Sequence, residues 1–182
     1  PAAAQMVLVM ESDGSLTATQ SQNSFARNYN DGVGQGSAAD ALAIFDEPDA
    51  AAATEEILRF EPSIVSWRRR AKVDTEVGGV SIPEGSNILL IMGSGNRDAD
   101  VFENAEAFDI HRKNARNHLS FGYGIHFCIG FQLAKMEFGI MLRELTARFP
   151  NMRLKEDQHI EYLNNISFRV PDQVLVDLGL EA

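Results

Sequence analysis

Hydrophobic and polar positions follow different patterns before and after about residue 45. Residues 11–40 are rich in Ser, Thr, Asn, Gln, Asp and Gly, and they show no sustained helical or strand period. Beyond this stretch, apolar residues recur in patterns that predict regular elements. We therefore divide the chain into a divergent lead-in, residues 1–45, and an ordered region, residues 46–182.

Two helices are predicted in the ordered region. An acidic residue followed by Pro48 and a run of alanines predicts a helix over about 48–60, which Pro62 ends. Apolar residues at three- and four-residue steps predict a second helix over about 131–148, which Pro150 ends. The apolar positions of this second helix are Leu133, Met136, Ile140, Met141 and Leu145.

Short strands are predicted between and after the helices. Residues 73–77 and 80–82 read as a hairpin, 88–92 as a buried strand, and 160–176 as two further strands. Residues 93–130 are mostly irregular, and a loop of this length inside a compact region is usually functional. These elements predict a mainly α fold with small β-sheets, of the α+β class.

Charge and composition exclude several classes of protein. Twenty-six acidic residues against sixteen Lys and Arg give a net charge of −10, which argues against binding to nucleic acid. No apolar run approaches the roughly 20 residues that a membrane span needs, and no leader pattern opens the chain, so we expect no membrane association and a cytoplasmic location. A single cysteine excludes an internal disulfide and any multi-cysteine metal site.

That cysteine, Cys128, lies in a glycine-rich loop immediately before the second predicted helix. Glycines let a backbone turn tightly and approach a flat group, and the start of a helix favours a thiolate. The pattern alone leaves three alternatives open: a buried structural cysteine, a nucleophile with His126 as its base, or a metal ligand.

The loop Phe121-Gly-x-Gly-x-His-x-Cys-x-Gly130 resembles the haem-binding loop of the cytochromes P450. Three more segments resemble that family in order and spacing: Glu56-Ile-Leu-Arg59, Gly95-Asn-Arg-Asp98 and Phe108-Asp-Ile-His-Arg112. The resemblance covers residues 48–178 and is to the C-terminal, haem-binding half of the bacterial soluble type. The Ser-Trp-Arg-Arg-Arg run most resembles bacterial members related to the self-sufficient fused forms.

The resemblance implies haem b as cofactor, with Cys128 as the axial thiolate ligand of its iron. Arg69 and His126 would meet the haem propionates, and Gly122 would permit a close approach of the loop. Phe121 would shield the sulfur. The remaining residues that the resemblance places at the cofactor are His118, Gly130 and Ala134.

The resemblance also implies a buried, structural triad of Glu56, Arg59 and Arg112. It further implies that the N-terminal helices of the family fold are absent, so that residues 1–45 hold at most a remnant of the distal, oxygen-side helix. An acid–alcohol pair on that helix delivers protons in the family. The candidates here are Asp13, Thr17 and Thr19.

The function implied is a haem-thiolate monooxygenase that inserts one oxygen atom from O2 into a small hydrophobic substrate. Electrons would come from a ferredoxin or a reductase. The alternative is a haem-thiolate protein without monooxygenase activity, whether peroxygenase-like, a sensor or a non-catalytic remnant. Core surface that the absent helices would cover also predicts self-association.

Overall fold

The computed structural model describes residues 6–10, 16–18 and 47–180. Its regular elements, in chain order, are β1 (Met6–Met10), β2 (Leu16–Ala18), α1 (Glu47–Phe60), β3 (Ser66–Arg70), β4 (Thr75–Val77), β5 (Val80–Ile82), β6 (Asn87–Ile91), α2 (Met92–Gly95), α3 (Phe131–Arg148), β7 (Arg153–Leu154) and β8 (Val176–Asp177). Two 3-10 turns, Ala115–Asn117 and Gly124–His126, interrupt the long loop between α2 and α3. The architecture is α+β, as predicted.

Both predicted helices are present, with ends within one residue of the prediction. Helix α1 packs on α3, and small residues of the two helices, Thr54 and Gly139, meet at the contact. A Cβ added to Gly139 would lie 3.8 Å from Thr54 Oγ1. Leu142 and Thr146, one and two turns further along α3, are buried. Within the described ranges, no helix combines the length and the apolar character needed to cross a membrane.

The apolar stripe that predicted α3 is not the side of the helix that packs on α1. Leu133 and Met136 are 55% and 57% exposed, and Ile140 and Met141 are exposed as well. The side toward α1 carries Lys135 and Gly139 instead. Periodicity located the helix correctly, but it did not show which of its faces is covered in this chain.

Three small antiparallel sheets complete the described fold. The largest has the order β2-β1-β6-β3, so that Leu90 of β6 lies between Val7 of β1 and Trp67 of β3. Strands β4 and β5 form the predicted hairpin, in which Ile82 is fully buried in a cluster with Ala71 and the partly buried Ile88 and Leu90.

Strand β3 was not predicted, and two predicted strands have different ends in the structure. Arg68, Arg69 and Arg70 are all exposed and lack apolar alternation, so β3 is fixed by its backbone pairing with β6. The strand predicted at 73–77 shortens to β4, and the strand predicted at 88–92 becomes β6, since Met92 already begins α2.

The prediction of two strands over residues 160–176 was wrong. This segment forms isolated bridges, Ile64 with Phe168 and Tyr162 with Pro171, and only Val176 joins the short strand β8. The side-chain oxygen of Asn165 accepts hydrogen bonds from the backbone N–H groups of Ser167 and Phe168, at 2.8 and 3.0 Å. Such local bonds replace the ladder that a continuous strand would need.

The described part of the lead-in is extended and not helical. Strand β1 pairs with both β2 and β6, and Thr17 lies opposite Val9. The remnant of a distal helix within residues 1–45 stays a prediction, of which only residues 6–10 and 16–18 are described, as paired strands. Asp13 and Thr19 lie outside the described residues.

Arg59 is fully buried at the centre of the ordered region, and each of its five N–H donors has an acceptor. Two donate to the Glu56 carboxylate at 2.7 Å, in a bidentate pair. The other three donate to the carbonyls of Asn96, Ala105 and Ala107 at 2.9, 2.9 and 3.0 Å. Arg59 thus ties α1 to two parts of the long loop.

Glu56 extends this network to residues further along the loop. Its Oε1 accepts the backbone N–H of Asp109 at 2.9 Å and faces Arg112 Nε at 3.3 Å. The Arg112 side chain, 6% exposed, also donates to the carbonyls of Glu103, Asn104 and Ala107. The structure therefore brings Glu56, Arg59 and Arg112 together in one buried cluster.

We expect Arg59→Ala to lower the free energy of unfolding by about 3–5 kcal/mol, since it removes the bidentate partner of the buried Glu56 carboxylate and the donor to the carbonyls of Asn96 and Ala105. Arg148→Ala is the matched control, because the exposed Arg148–Glu144 pair contributes about 0–1 kcal/mol. Urea denaturation followed by circular dichroism measures both. Equal stability of the two variants would contradict a structural role for Arg59.

Candidate functional site

The loop that carries Cys128 is folded by short backbone hydrogen bonds. The Cys128 N–H donates to the carbonyl of Phe121 at 2.8 Å, and the Gly122 N–H donates to Leu119 at 2.8 Å. Inside the loop, the Phe127 N–H donates to Gly124 at 3.0 Å. These bonds bring Cys128 back beside Phe121 and present its thiol at the surface, where the residue is exposed.

Two glycines leave room for this arrangement. Gly122 has a φ of +78°, and a Cβ at this position would lie 3.1 Å from the carbonyl oxygen of His126. A side chain there would be strained by the backbone and crowded by the turn. A Cβ added to Gly130 would lie 3.9 Å from the Cys128 sulfur. Glycine at both positions therefore keeps the loop tight and the space beside the sulfur open.

Cys128 lies at the start of α3. The Phe131 N–H donates to the Cys128 carbonyl at 3.4 Å, and the Ala134 N–H donates to Gly130 at 3.0 Å as the helix begins. The N-terminal end of a helix carries a partial positive charge, which favours an anionic thiolate. Ala134 lies exposed in the first turn, where its small side chain leaves space.

The exposed thiol is flanked by apolar side chains. Ile125 and Ile129 are 97% and 102% exposed, and Phe127 is 45% exposed. Phe121, Phe127 and Phe131 form an aromatic group with ring centroids 4.8–6.5 Å apart. A soluble chain rarely leaves so many large apolar side chains together in water. A free sulfur among them fits a flat apolar group that is bound through its metal.

The two residues predicted to meet propionates are exposed. His126 ends the 3-10 turn Gly124–His126, two residues before Cys128. Arg69 lies on β3, at the end of the strand order of its sheet, and its Nη1 donates to the carbonyl of Arg68 at 2.8 Å. Both side chains can carry positive charge, which is the property that a carboxylate partner requires.

His118 is buried and faces two groups of the protein. Its side chain is 2% exposed, its Nδ1 accepts the Ser120 N–H at 3.2 Å, and its Nε2 lies 3.3 Å from Glu55 Oε2. Its role as a polar neighbour of the cofactor stays a prediction.

Glu55 is a buried residue that sequence reasoning missed. Burial alone would raise the pKa of its carboxyl, but His118 and Lys135, which face its two oxygens, outweigh that effect and lower the pKa below its usual value. The signal in the sequence was the acidic pair Glu55-Glu56, of which only the second member matched the family motif.

Asn96 was noted only as part of a motif, and it proves to connect the Arg59 network to the cysteine loop. Its carbonyl accepts from Arg59, while its side-chain oxygen accepts the Leu119 N–H at 2.6 Å. Its side-chain amide donates to Ser120 Oγ at 2.9 Å, and that hydroxyl donates to Leu58 at 2.5 Å. Asn96 is fully buried, so each of these bonds replaces contact with water.

Comparison with known proteins gives consistent matches. The family model of cytochrome P450 matches residues 50–172. Among curated proteins, the chain is 46% identical over 105 residues to 6-deoxyerythronolide B hydroxylase of Saccharopolyspora erythraea, a match that covers 58% of this chain and 26% of the relative.

Solved structures agree in fold. The P450 haem domain of Tepidiphilus thermophilus is 47% identical with a TM-score of 0.70, over 72% of this chain and 32% of that one. An intact type IV self-sufficient cytochrome P450 monooxygenase is 46% identical with a TM-score of 0.68, over 71% and 17% respectively.

The chain thus spans about a quarter to a third of the length of the curated relatives it matches. The matches confirm the resemblance to the family, as well as the α+β fold as part of the family architecture. On the family model and on these neighbours together, the chain belongs to the cytochrome P450 family.

Proposed function

We propose that this chain supplies the thiolate side of a haem site, and that the protein acts as a monooxygenase on a small hydrophobic substrate. One observation carries the proposal: an exposed Cys128 lies at the start of α3, in a tight glycine loop flanked by apolar side chains. Haem b, when bound, supplies the activation of O2.

In this proposal each residue of the loop has a stated task. Cys128 binds the iron as a thiolate, which the start of α3 favours. Gly122 and Gly130 would let the loop approach the haem closely, and Phe121 would shield the sulfur once the haem is bound. His126 and Arg69 bind the propionates, and Ala134 leaves room beside the ring. Glu56, Arg59 and Arg112 hold the surrounding fold.

Electrons would reach the site from a ferredoxin or a reductase, or from a fused domain of the kind found in self-sufficient relatives. Basic side chains near the cysteine loop support this proposal. Arg112 and Lys135 are engaged by Glu56 and Glu55. Lys113 and Arg116 are exposed, although Arg116 Nε also lies 3.8 Å from Glu55 Oε1. On a chain of net charge −10, these two define the local positive patch that an acidic donor would meet.

The alternative is a haem-thiolate protein without monooxygenase activity. The extended conformation of residues 16–18 favours it, because Thr17 lies in a strand and does not form part of a helical acid–alcohol pair. Such a protein would bind haem through Cys128 but would not turn over with an electron donor and O2. The measurements below distinguish the two functions.

We expect Cys128→Ala to abolish thiolate ligation while the fold over 48–178 is only modestly affected, since one small exposed side chain is removed. The measurement is the absorption spectrum of the reduced, carbon-monoxide-treated protein after reconstitution with haem. The wild type should show the long-wavelength Soret band of thiolate ligation. His126→Ala is the control, because it should weaken haem retention without changing the position of the band. An unchanged spectrum in Cys128→Ala would refute the proposal.

We expect the double variant Lys113→Glu/Arg116→Glu to slow electron delivery at low salt, with a deficit that shrinks as salt screens the field. Stopped-flow reduction of the haem-loaded protein by an acidic ferredoxin measures this rate. Arg153→Glu/Lys155→Glu is the matched control, since it makes the same charge change at exposed residues of and beside β7. A deficit that does not depend on salt would show that the patch is not part of the docking site. If the ferredoxin does not reduce the haem of the wild type at all, the alternative function is favoured.

We also propose that the exposed stripe of α3 mediates association with a second copy of the chain. Leu133, Met136 and Ile140 are exposed at three- and four-residue steps on one side of the helix. Light scattering after size-exclusion chromatography should give a mass above 20.0 kDa for the wild type and a lower mass for Leu133→Glu/Met136→Glu. Val73→Glu, at an equally exposed apolar residue of another element, is the control. A monomeric wild type at all concentrations would contradict self-association.

A further inference from the structure

Glu55 holds a second buried ion cluster, directly beside the Arg59 network but built from different partners. We name it the Glu55 cluster; its members are Glu55, Arg116, His118 and Lys135. Glu55 Oε1 accepts a hydrogen bond from Lys135 Nζ at 2.8 Å and lies 3.8 Å from Arg116 Nε. The Glu55 side chain is 10% exposed and that of Lys135 24%, so this pair is largely shielded from water, whereas the Arg116 side chain is 78% exposed.

The second oxygen of Glu55 fixes the ring of His118. Because Nδ1 accepts the Ser120 N–H, Nε2 is the ring nitrogen left to face Glu55, and it lies 3.3 Å from Oε2. The two atoms are close but are not aligned for a hydrogen bond, and neither has another partner among the described residues. The ring is therefore held by attraction on one edge and by a backbone hydrogen bond on the other.

Two members of the Glu55 cluster contact the same aromatic ring. Lys135 Nζ lies 5.5 Å from the centroid of Phe121, and the His118 ring lies 5.7 Å from it. Lys135 comes from α3 and His118 from the loop before the motif, so Phe121 is contacted from two separate elements. A cation placed over an aromatic ring is attracted electrostatically by the negative face of the ring.

Phe121 in turn holds Cys128. Its carbonyl accepts the Cys128 N–H at 2.8 Å, and its ring packs against Phe127 and Phe131 on either side of the cysteine. A continuous series of contacts therefore leads from the Glu55 carboxylate, through Lys135 and His118, to Phe121 and the backbone of Cys128.

The charge of Glu55 is what keeps this series together. The carboxylate stays ionised because its partners outweigh the effect of burial on its pKa. Without that charge, Lys135, whose side chain is 24% exposed, would turn toward water, and His118 would keep only its bond to Ser120. Phe121 would then lose both of its polar contacts.

We propose that Glu55 is a positioning residue for the cysteine loop, which it holds through Lys135 and His118 acting on Phe121. The task of presenting Cys128 to haem rests on the proposed function. The contacts themselves are a property of the chain and can be tested without the cofactor.

The experiment is amide hydrogen exchange of the chain without haem, read at the Cys128 N–H in the wild type and in Glu55→Gln. Glutamine keeps the shape of the side chain and removes its charge. We expect exchange at Cys128 to become about tenfold faster, while amides of β6 exchange as in the wild type. Glu144→Gln, which breaks an exposed ion pair on α3, is the control and should change neither rate.

Two variants of Lys135 make the test specific. Lys135→Met keeps the stem but removes the cation, and it should accelerate exchange at Cys128 as Glu55→Gln does. Lys135→Arg keeps a cation for both Glu55 and Phe121, and it should restore a rate close to that of the wild type. If Glu55→Gln does not fold, Lys135→Met decides the question, because this side chain lies at the edge of the cluster. An unchanged rate at Cys128, or an equal acceleration at Cys128 and β6, would overturn the proposal.

The same variants after haem reconstitution separate this inference from the proposed function. If both hold, Glu55→Gln should show a reduced thiolate Soret band beside a second band of altered ligation. Faster exchange at Cys128, with no thiolate band even in the wild type, would support the positioning role and refute the haem-thiolate function. A full thiolate band in Glu55→Gln with unchanged exchange would refute positioning alone.

Discussion

The ordered region depends on one fully buried guanidinium. Arg59 uses all five of its N–H donors, so its charge is compensated by Glu56 and its remaining hydrogen-bonding capacity is taken up by backbone carbonyls. A lysine could offer only three donors from a single point. Through the carbonyl of Asn96, the same guanidinium also reaches the residue that fixes the start of the cysteine loop. The position of Cys128 therefore depends on a contact made by α1.

Elements governed by local sequence were predicted well, and those governed by partners were not. Helix α1 follows from Pro48 and a run of alanines, and α3 from its apolar period, so both had correct ends. Three of the five residues of β3 are exposed arginines, and the strand is defined by its pairing with β6. Likewise, periodicity detects an apolar stripe on α3 but not whether another segment covers it.

The candidate site divides in the same way. The glycines and Cys128 form one continuous motif, and the geometry that they adopt, with a positive φ at Gly122, follows from local backbone constraints. Glu55 and Lys135 are eighty residues apart and meet only because α1 packs on α3. His118 precedes the motif in sequence, but its approach to Glu55 is visible only in the structure. A sequence without aligned relatives gives no sign of such long-range pairs.

Three of the five acceptors around Arg59 are main-chain oxygens, contributed by Asn96, Ala105 and Ala107. A peptide carbonyl is present at every position whatever the side chain, so the anchor does not depend on residue identity at these points beyond the space available. The anchor does depend on the number of residues between these three carbonyls. An insertion or a deletion would move a carbonyl oxygen away from its donor on Arg59. The segment can thus diverge by substitution while its length stays fixed, which is the opposite of the tolerance expected for an ordinary surface loop.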